Sequence, residues 1–447
     1  MNIVSKFPPD LCGIADYSEA LFKEMNKFED SVVNIEKIRI EPTINILYYI
    51  KLAFKARKAD IVHIQFDYSY FYKFGIYSPI FYLFLKFPYF SKNIITTMHE
   101  IIDINQYTGF KGFITKFYGK IINFILFKFS TKVIVHNELS RDKLIKQKVE
   151  PSKIIVIPHA SYTESKPLNK KLAKDQLNLP EKKILLLFGF IHPQKGYDQV
   201  IDILNYLDEE ITILICGKSN KEHDDYFEEL MNLIKKYEIK KKIRYYGYVK
   251  KEDIHVVFSS ADIVILPYLR IEQSGILSRS LAYKSTVLAS NLSYFKEISN
   301  KYGCILTFRN FDKEDLLKKI YLLLNDNNLR RHLKENIKDY LNDTNLNLIS
   351  RKHMELYYFL SEGGHPDSIY TDKKQIERID WLKTKKKGKT LEVGCSTGYV
   401  TNYVDADVGI DIDQFRIMLA QNKYPYKKFL KSDASNLPFK DNSLIQY

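Results

Sequence analysis

Short apolar, β-branched runs alternate along most of the chain with longer stretches whose apolar positions recur at helical spacing. The runs "MNIVSKF", "ADIVHIQF", "NIITTMHE", "KVIVHN" and "KIIVIPHA" come first, then "KILLLFGF", "ITILICGK", "IRYYGYV", "ADIVILPY" and "TVLAS". Alternation of this kind predicts α/β domains in which parallel strands are joined by crossover helices. Between the two sets lies "SYTESKPLNKKLAKDQLNLPEKK", polar and punctuated by proline, which reads as an inter-domain connection. Two doubly wound domains facing across a cleft are therefore expected.

Three helical patterns follow the last strand of the second set, ending in "NLNLISRKHMELYYFLSE". Glycines and a proline in "GGHPDSIYTD" then break the chain, so a boundary is expected near Glu362. Beyond it the pattern reads helix, turn, strand, Gly-rich loop, helix, strand: a third α/β unit that opens and stops.

The length of 447 residues suits two large domains or three unequal ones, and 45% hydrophobic content supplies several cores. Aromatics reach 14%, either through a general compositional bias or through a membrane-facing surface. The net charge of +14 is dispersed, which argues against a nucleic-acid groove and for anionic partners such as nucleotide diphosphates or acidic lipid headgroups. Cys12, Cys216, Cys304 and Cys395 lie far apart, as reduced thiols do, and give no metal site. The N-terminus lacks the pattern of a secretory signal, and the apolar stretch Phe74 to Phe90 meets a lysine too early to span a bilayer. "GFKGFITKFYGKIINFILFKF" sets lysines among aromatics and reads either as a membrane-interface helix or as a buried helix with snorkelling lysines.

Candidate chemistry gathers where strands end. Gly13 follows the first strand at the start of a helix, where free amides favour an anion. Gly189 ends "LLLFGF", and Lys195 follows on a short loop, a compact charge suited to a diphosphate. In "LPYLRIEQSGIL" a strand ends before Glu272, and the turn through Gln273, Ser274, Gly275, Ile276 and Leu277 starts a helix whose amides could cap a phosphate. His99, at a strand's carboxyl end beside Glu100, suits a ligand site. His63, His136 and His159 are read as packing or loop residues.

The ordered series "PP..CGIADY", "DIVHIQ", "TMHE", "VIVHN", "VIPHA", "FGFI.P.KG.D", "ICG", "GYV", "DIVILPY" and "EQSGIL…LA…VLAS" resembles family 4 glycosyltransferases of the GT-B fold over roughly residues 1 to 360. The resemblance implies two Rossmann-like domains, an acceptor-side one over 1–165 and a nucleotide-sugar one over 166–343, with a helix at 344–362 packing back on the first. It implies metal-free transfer of a sugar, with retention, from a UDP- or GDP-linked donor to a glycan or lipid-linked acceptor. Gly13 would approach the diphosphate, Lys195 would neutralise it, and the turn at Ser274 to Leu277 would bind phosphate. His99 would face the donor sugar, and Glu272 would hold its hydroxyls and position the anomeric carbon. Three departures bear on the donor: Ser280 stands where a second glutamate is usual, Phe190 replaces an arginine beside Gly189, and Lys284-Ser285-Thr286 replaces a small "G.P". His192 or Arg270 is left to substitute for the arginine.

"LEVGCSTGYV", "VGIDID" and "KSDASNLPF" resemble the opening of a class I S-adenosylmethionine-dependent methyltransferase over 370–447. The resemblance implies that Glu392, Gly394 and Gly398 belong to a cofactor loop, that Asp411 binds ribose hydroxyls, and that Asp433 and Ala434 flank adenine. The segment is expected to be incomplete, ending where the fourth strand would lie. The expected activity is that of a cytoplasmic glycosyltransferase of surface polysaccharide assembly, with peripheral contact to the inner membrane face and no nucleic-acid partner. A glycosyl- and methyltransferase fragment and a non-catalytic nucleotide-sugar binder are the alternatives.

Overall fold

The computed structural model describes residues 1–10, 12–28, 34–87, 93–101, 109–163, 165–219, 224–238, 242–361, 373–386, 388–439 and 445–446. The boundary expected near Glu362 lies outside them.

The first sheet is built from β1 (Asn2–Ser5), β2 (Glu36–Arg39), β3 (Ile61–Phe66), β4 (Asn93–Met98), β5 (Lys132–Val135) and β6 (Ile154–Val156), in the order β2-β1-β3-β4-β5-β6. β3 is buried at every position and pairs in parallel with β4 from Ile61↔Asn93 to Phe66↔Met98. The intervening helices are α1 (Gly13–Met25), α2 (Ile46–Ala56), α3 (Ser78–Lys86), α4 (Gly109–Phe129) and α5 (Glu138–Lys146). Right-handed crossovers run leftward from β1 through α1 and rightward through α2, α3 and α4, so those three share the face opposite α1.

The second sheet contains β7 (Lys183–Phe188), β8 (Ile211–Cys216), β9 (Ile243–Gly247), β10 (Ile263–Leu266), β11 (Val287–Ser290) and β12 (Leu306–Phe308), ordered β12-β11-β10-β7-β8-β9. Its helices are α6 (Lys170–Gln176), α7 (Tyr197–Ile201), α8 (Asp224–Glu238), α9 (Ile254–Ser260), α10 (Gly275–Ala282), α11 (Ser293–Tyr302), α12 (Lys313–Asn325) and α13 (Asn327–Thr344). Apolar cores lie on both of its faces. Leu186, Leu214, Val264 and Leu277 belong to one, and Leu187, Ile213, Ile265 and Leu316 to the other.

α14 (Leu346–Ser361) leads to α15 (Lys373–Lys385), β13 (Thr390–Val393), α16 (Tyr399–Tyr403), β14 (Val408–Asp411), α17 (Gln414–Lys423), β15 (Lys428–Lys431) and β16 (Ile445–Gln446). These strands form a four-stranded parallel sheet, β15-β14-β13-β16. Where the chain was expected to end at the place of a fourth strand, β16 pairs with β13: Ile445 with Thr390 and Gln446 with Leu391.

The chain divides into two compact units, Met1–Met98 with Ile102–Val133 and Ser350–Tyr447, and His99–Ile101 with Ile134–Ile349. In the first unit α14 is tied to the first sheet: Tyr357 Oη lies 2.6 Å from His63 Nδ1, and Asn93 Nδ2 donates to Leu360 O at 2.9 Å. His63 also meets Thr97 Oγ1 at 2.7 Å, a fully buried network.

Candidate active site

Where strand order reverses in an open α/β sheet, the flanking loops diverge and leave a crevice beyond the strands' carboxyl ends. In the second sheet that place lies between β7 and β10, and the loops following these strands carry Gly189, Lys195 and Glu272. Gly189 has φ +119°, and a Cβ there would touch Ile276 in the first turn of α10 at 3.6 Å, so the two loops are neighbours. Gly196 is required more strictly: at φ +60° a Cβ would lie 2.2 Å from Pro267 O. Lys195 Nζ sits 3.7 Å from the centre of the Tyr268 ring, a cation–π contact that stations the ammonium at the end of β10.

Ser274 caps α10, its Oγ accepting from Leu277 N at 3.0 Å. The Leu277 amide is thereby committed to the helix, while exposed Gly275 and half-buried Ile276 complete its first turn. Gln273 Oε1 is buried with no hydrogen-bond partner among the described residues. Burying a carbonyl in that condition costs free energy that a ligand's donor would recover.

Glu272 is gripped from α5. Lys143 Nζ donates to both carboxylate oxygens, at 2.6 and 2.7 Å, and the Glu272 side chain is 12% exposed. Asn137 caps α5 through its Oδ1 and donates from Nδ2 to Glu272 O at 2.8 Å. Sequence reasoning assigns no role to Asn137, the last residue of "VIVHN", or to Lys143, because both act across a long separation in the chain. Arg270, considered as a partner for Lys195, instead lies 3.6 Å from Glu100, and His192 accepts from Gln194 N. Ser280 is fully buried and donates to Ile276 O at 2.7 Å, so this position serves the packing of α10.

His99 Nδ1 lies 3.4 Å from His136 Nε2, and the His136 and His159 ring centres are 5.4 Å apart. A Cβ on Gly275 would lie 3.5 Å from His159 Cε1, so a line of imidazoles runs from the end of β4 to the head of α10. Burial, disfavouring the charged imidazolium, lowers His136 to about 4 and His159 to about 3. Both rings are neutral at pH 7, and His136 Nδ1, 3.0 Å from Ile157 O, is held by the backbone. Gly13 heads α1 in the other unit, where a Cβ would meet nothing within 4 Å. Among the described residues no group of three or more His, Cys, Asp or Glu could hold a metal ion.

In the third sheet the order reverses at β13, whose loop carries Gly394 and Gly398. Asp411, expected to hold ribose hydroxyls, accepts from Ser396 N at Oδ2 and from Asp413 N at Oδ1, each at 2.9 Å. A Cβ on Gly398 would lie 2.5 Å from Phe429 Cζ, so that glycine meets the core. Glu392 is bonded to Thr401 Oγ1, and burial pushes its carboxyl up to about 7. Exposed Asp433 accepts from Ser435 N at 2.8 Å. The loop's polar groups bind one another, and each Asp411 oxygen, accepting one bond, keeps capacity for a further donor.

The family described as "Glycosyl transferases group 1" matches residues 169–340, the span that carries Gly189, Lys195 and Glu272. The chain carries a group 1 glycosyltransferase domain. A second family, "Methyltransferase domain", matches residues 391–444 of the third sheet. The chain is 24% identical over 259 residues to the Campylobacter jejuni N,N'-diacetylbacillosaminyl-diphospho-undecaprenol alpha-1,3-N-acetylgalactosaminyltransferase, covering 56% of this chain and 66% of that one. It is 29% identical over 145 residues to the mannosylfructose-phosphate synthase of Agrobacterium fabrum, covering 30% of this chain and 31% of that one. Both matches span less than two thirds of the relatives' own lengths. The structure of Anabaena Alr3699/HepE in complex with UDP-glucose superposes with a TM-score of 0.64 at 14% identity, over 80% of this chain and 99% of that one. The fold is thus the GT-B type.

Proposed function

We propose that this glycosyltransferase is a family 4 member that moves a hexosyl group from a UDP- or GDP-linked donor to a glycan or lipid-linked acceptor, retaining anomeric configuration. Residues 166–343 would take the donor and 1–165 the acceptor. The observation that carries the reading is the anchored Glu272 carboxylate beside the buried, unbonded Gln273 Oε1 at the head of α10. Lys195 neutralises the diphosphate, Gly189, Ser274, Gly275 and Ile276 let it approach backbone, and His99 meets the sugar. UDP-glucose in the Anabaena neighbour and the undecaprenol-linked substrate in the Campylobacter relative's name support this donor and acceptor class. Surface polysaccharide assembly at the inner membrane face is the setting we assign.

Release of nucleoside diphosphate from UDP- and GDP-sugars, for wild type and Glu272→Ala, tests the proposal. The variant should lose about a hundredfold or more, the scale on which a positioned electrostatic group contributes. Equal, negligible turnover in both with every donor would sink it.

A further inference from the structure

α2, α3 and α4 form one helical layer on the first sheet, with α2 packed on α3 and α3 on α4. They hold two, one and four lysines and no aspartate or glutamate. Each buries one stripe and turns the other outward. α2 buries Tyr49, Leu52, Ala53 and Ala56 and exposes Leu47, Lys51, Phe54 and Lys55. α4 buries Ile122 and Leu126 and exposes Lys120, Phe124 and Lys128, one turn apart.

Contacts join these stripes into a single face. The Phe54 and Phe84 rings lie 5.8 Å apart, and Arg57 stacks 4.2 Å over Phe54 while donating to Phe87 O at 2.7 Å. Tyr118 Oη on α4 donates to Ile76 O in the turn before α3 at 3.2 Å. Phe74 in that turn is 65% exposed, Phe87 58% and Phe124 64%. Among the described residues, the acids in the connections to these helices include Glu41 beside Arg39, Asp67 capping Ser69 N, and Asp60 just before β3.

We propose that this face docks on an anionic lipid bilayer. Large exposed aromatics cost free energy in water and gain it at headgroup depth, and the lysine stems can lie along them with ammonium groups raised to lipid phosphates. The absence of any carboxylate from all three helices is the charge complement of such a surface. No described helix is long and apolar enough to cross the membrane, so the docking is interfacial. This locates the membrane contact assigned above, yet it is read without donor or acceptor and stands or falls apart from glycosyl transfer.

Sedimentation of the full chain with phosphatidylcholine vesicles, with and without phosphatidylglycerol, tests it. Binding should require the anionic lipid and weaken with added salt. Phe124→Glu should lower partition at least about tenfold, the scale of burying one aromatic side chain. Lys51→Gln and Lys120→Gln should each lower it about fivefold. All three positions are exposed, and unchanged thermal melting confirms that the variants fold. Variants that bind like wild type would overturn the proposal, as would retention by a soluble polyanion such as RNA without any vesicle binding.

Discussion

Lys143 binds both oxygens of Glu272, and this pair sets what the site's carboxylate can do. It keeps a mostly buried charge neutralised and holds its plane, while Asn137 holds the backbone of the same residue. Lys143→Met should reduce kcat/KM for donor turnover about tenfold, less than Glu272→Ala, because a half-exposed ion pair orients the carboxylate without replacing it. Lys143→Arg should recover most of the loss. A Lys143→Met enzyme as fast as wild type would show that the pair has no positioning role. The neighbouring imidazoles make a separate prediction. His136 and His159 are held below the usual value near 6.5, so below that pH the unfolded chain binds protons that the folded chain refuses. Stability from these groups is full above about pH 7 and falls as pH drops from about 6.5 toward about 3. Thermal melts across that range should show the fall, and His136→Asn with His159→Asn should flatten it.

At the scale of elements, every apolar run read as a strand in the first two sheets became one, since buried parallel strands write their burial into continuous β-branched sequence. β2 and β12 were not legible, and both are edges. Glu36–Arg39 buries only Ile38, and Leu306–Phe308 is three residues long with only Phe308 buried, so neither carries a pattern that a helix or loop could not share. The candidate site divides in the same way. Gly189, Lys195 and the turn after Glu272 lie near strand ends, where local sequence announces a ligand loop. Lys143, Asn137 and the His136–His159 contact were not legible as a site, since each looks like an ordinary helix or strand residue until packing sets it beside β10 or α10.

At the scale of the whole chain, the methyltransferase-like sheet belongs to the same compact unit as α14. Tyr358 Oη donates to Asp413 Oδ2 at 2.6 Å in a buried contact, and Arg416 approaches the same carboxylate at 3.6 Å. Tyr358→Phe should lower unfolding free energy by about 1.5–3 kcal/mol, the range for a hydrogen bond to a charged group, read by urea titration. An unchanged midpoint would remove this tie.

Three α/β sheets, their order along the chain and the glycine-bearing loops after their strands are written locally, because strand burial, helical period and turn glycines are local properties. Which side chains meet at those loops is a matter of packing. It set Lys143 on Glu272, Arg270 on Glu100, Ser280 into the body of α10, and Asp411 onto Ser396 and Asp413. Charge pairing and burial depend on distances between residues far apart in sequence, and those distances exist only once the chain has packed.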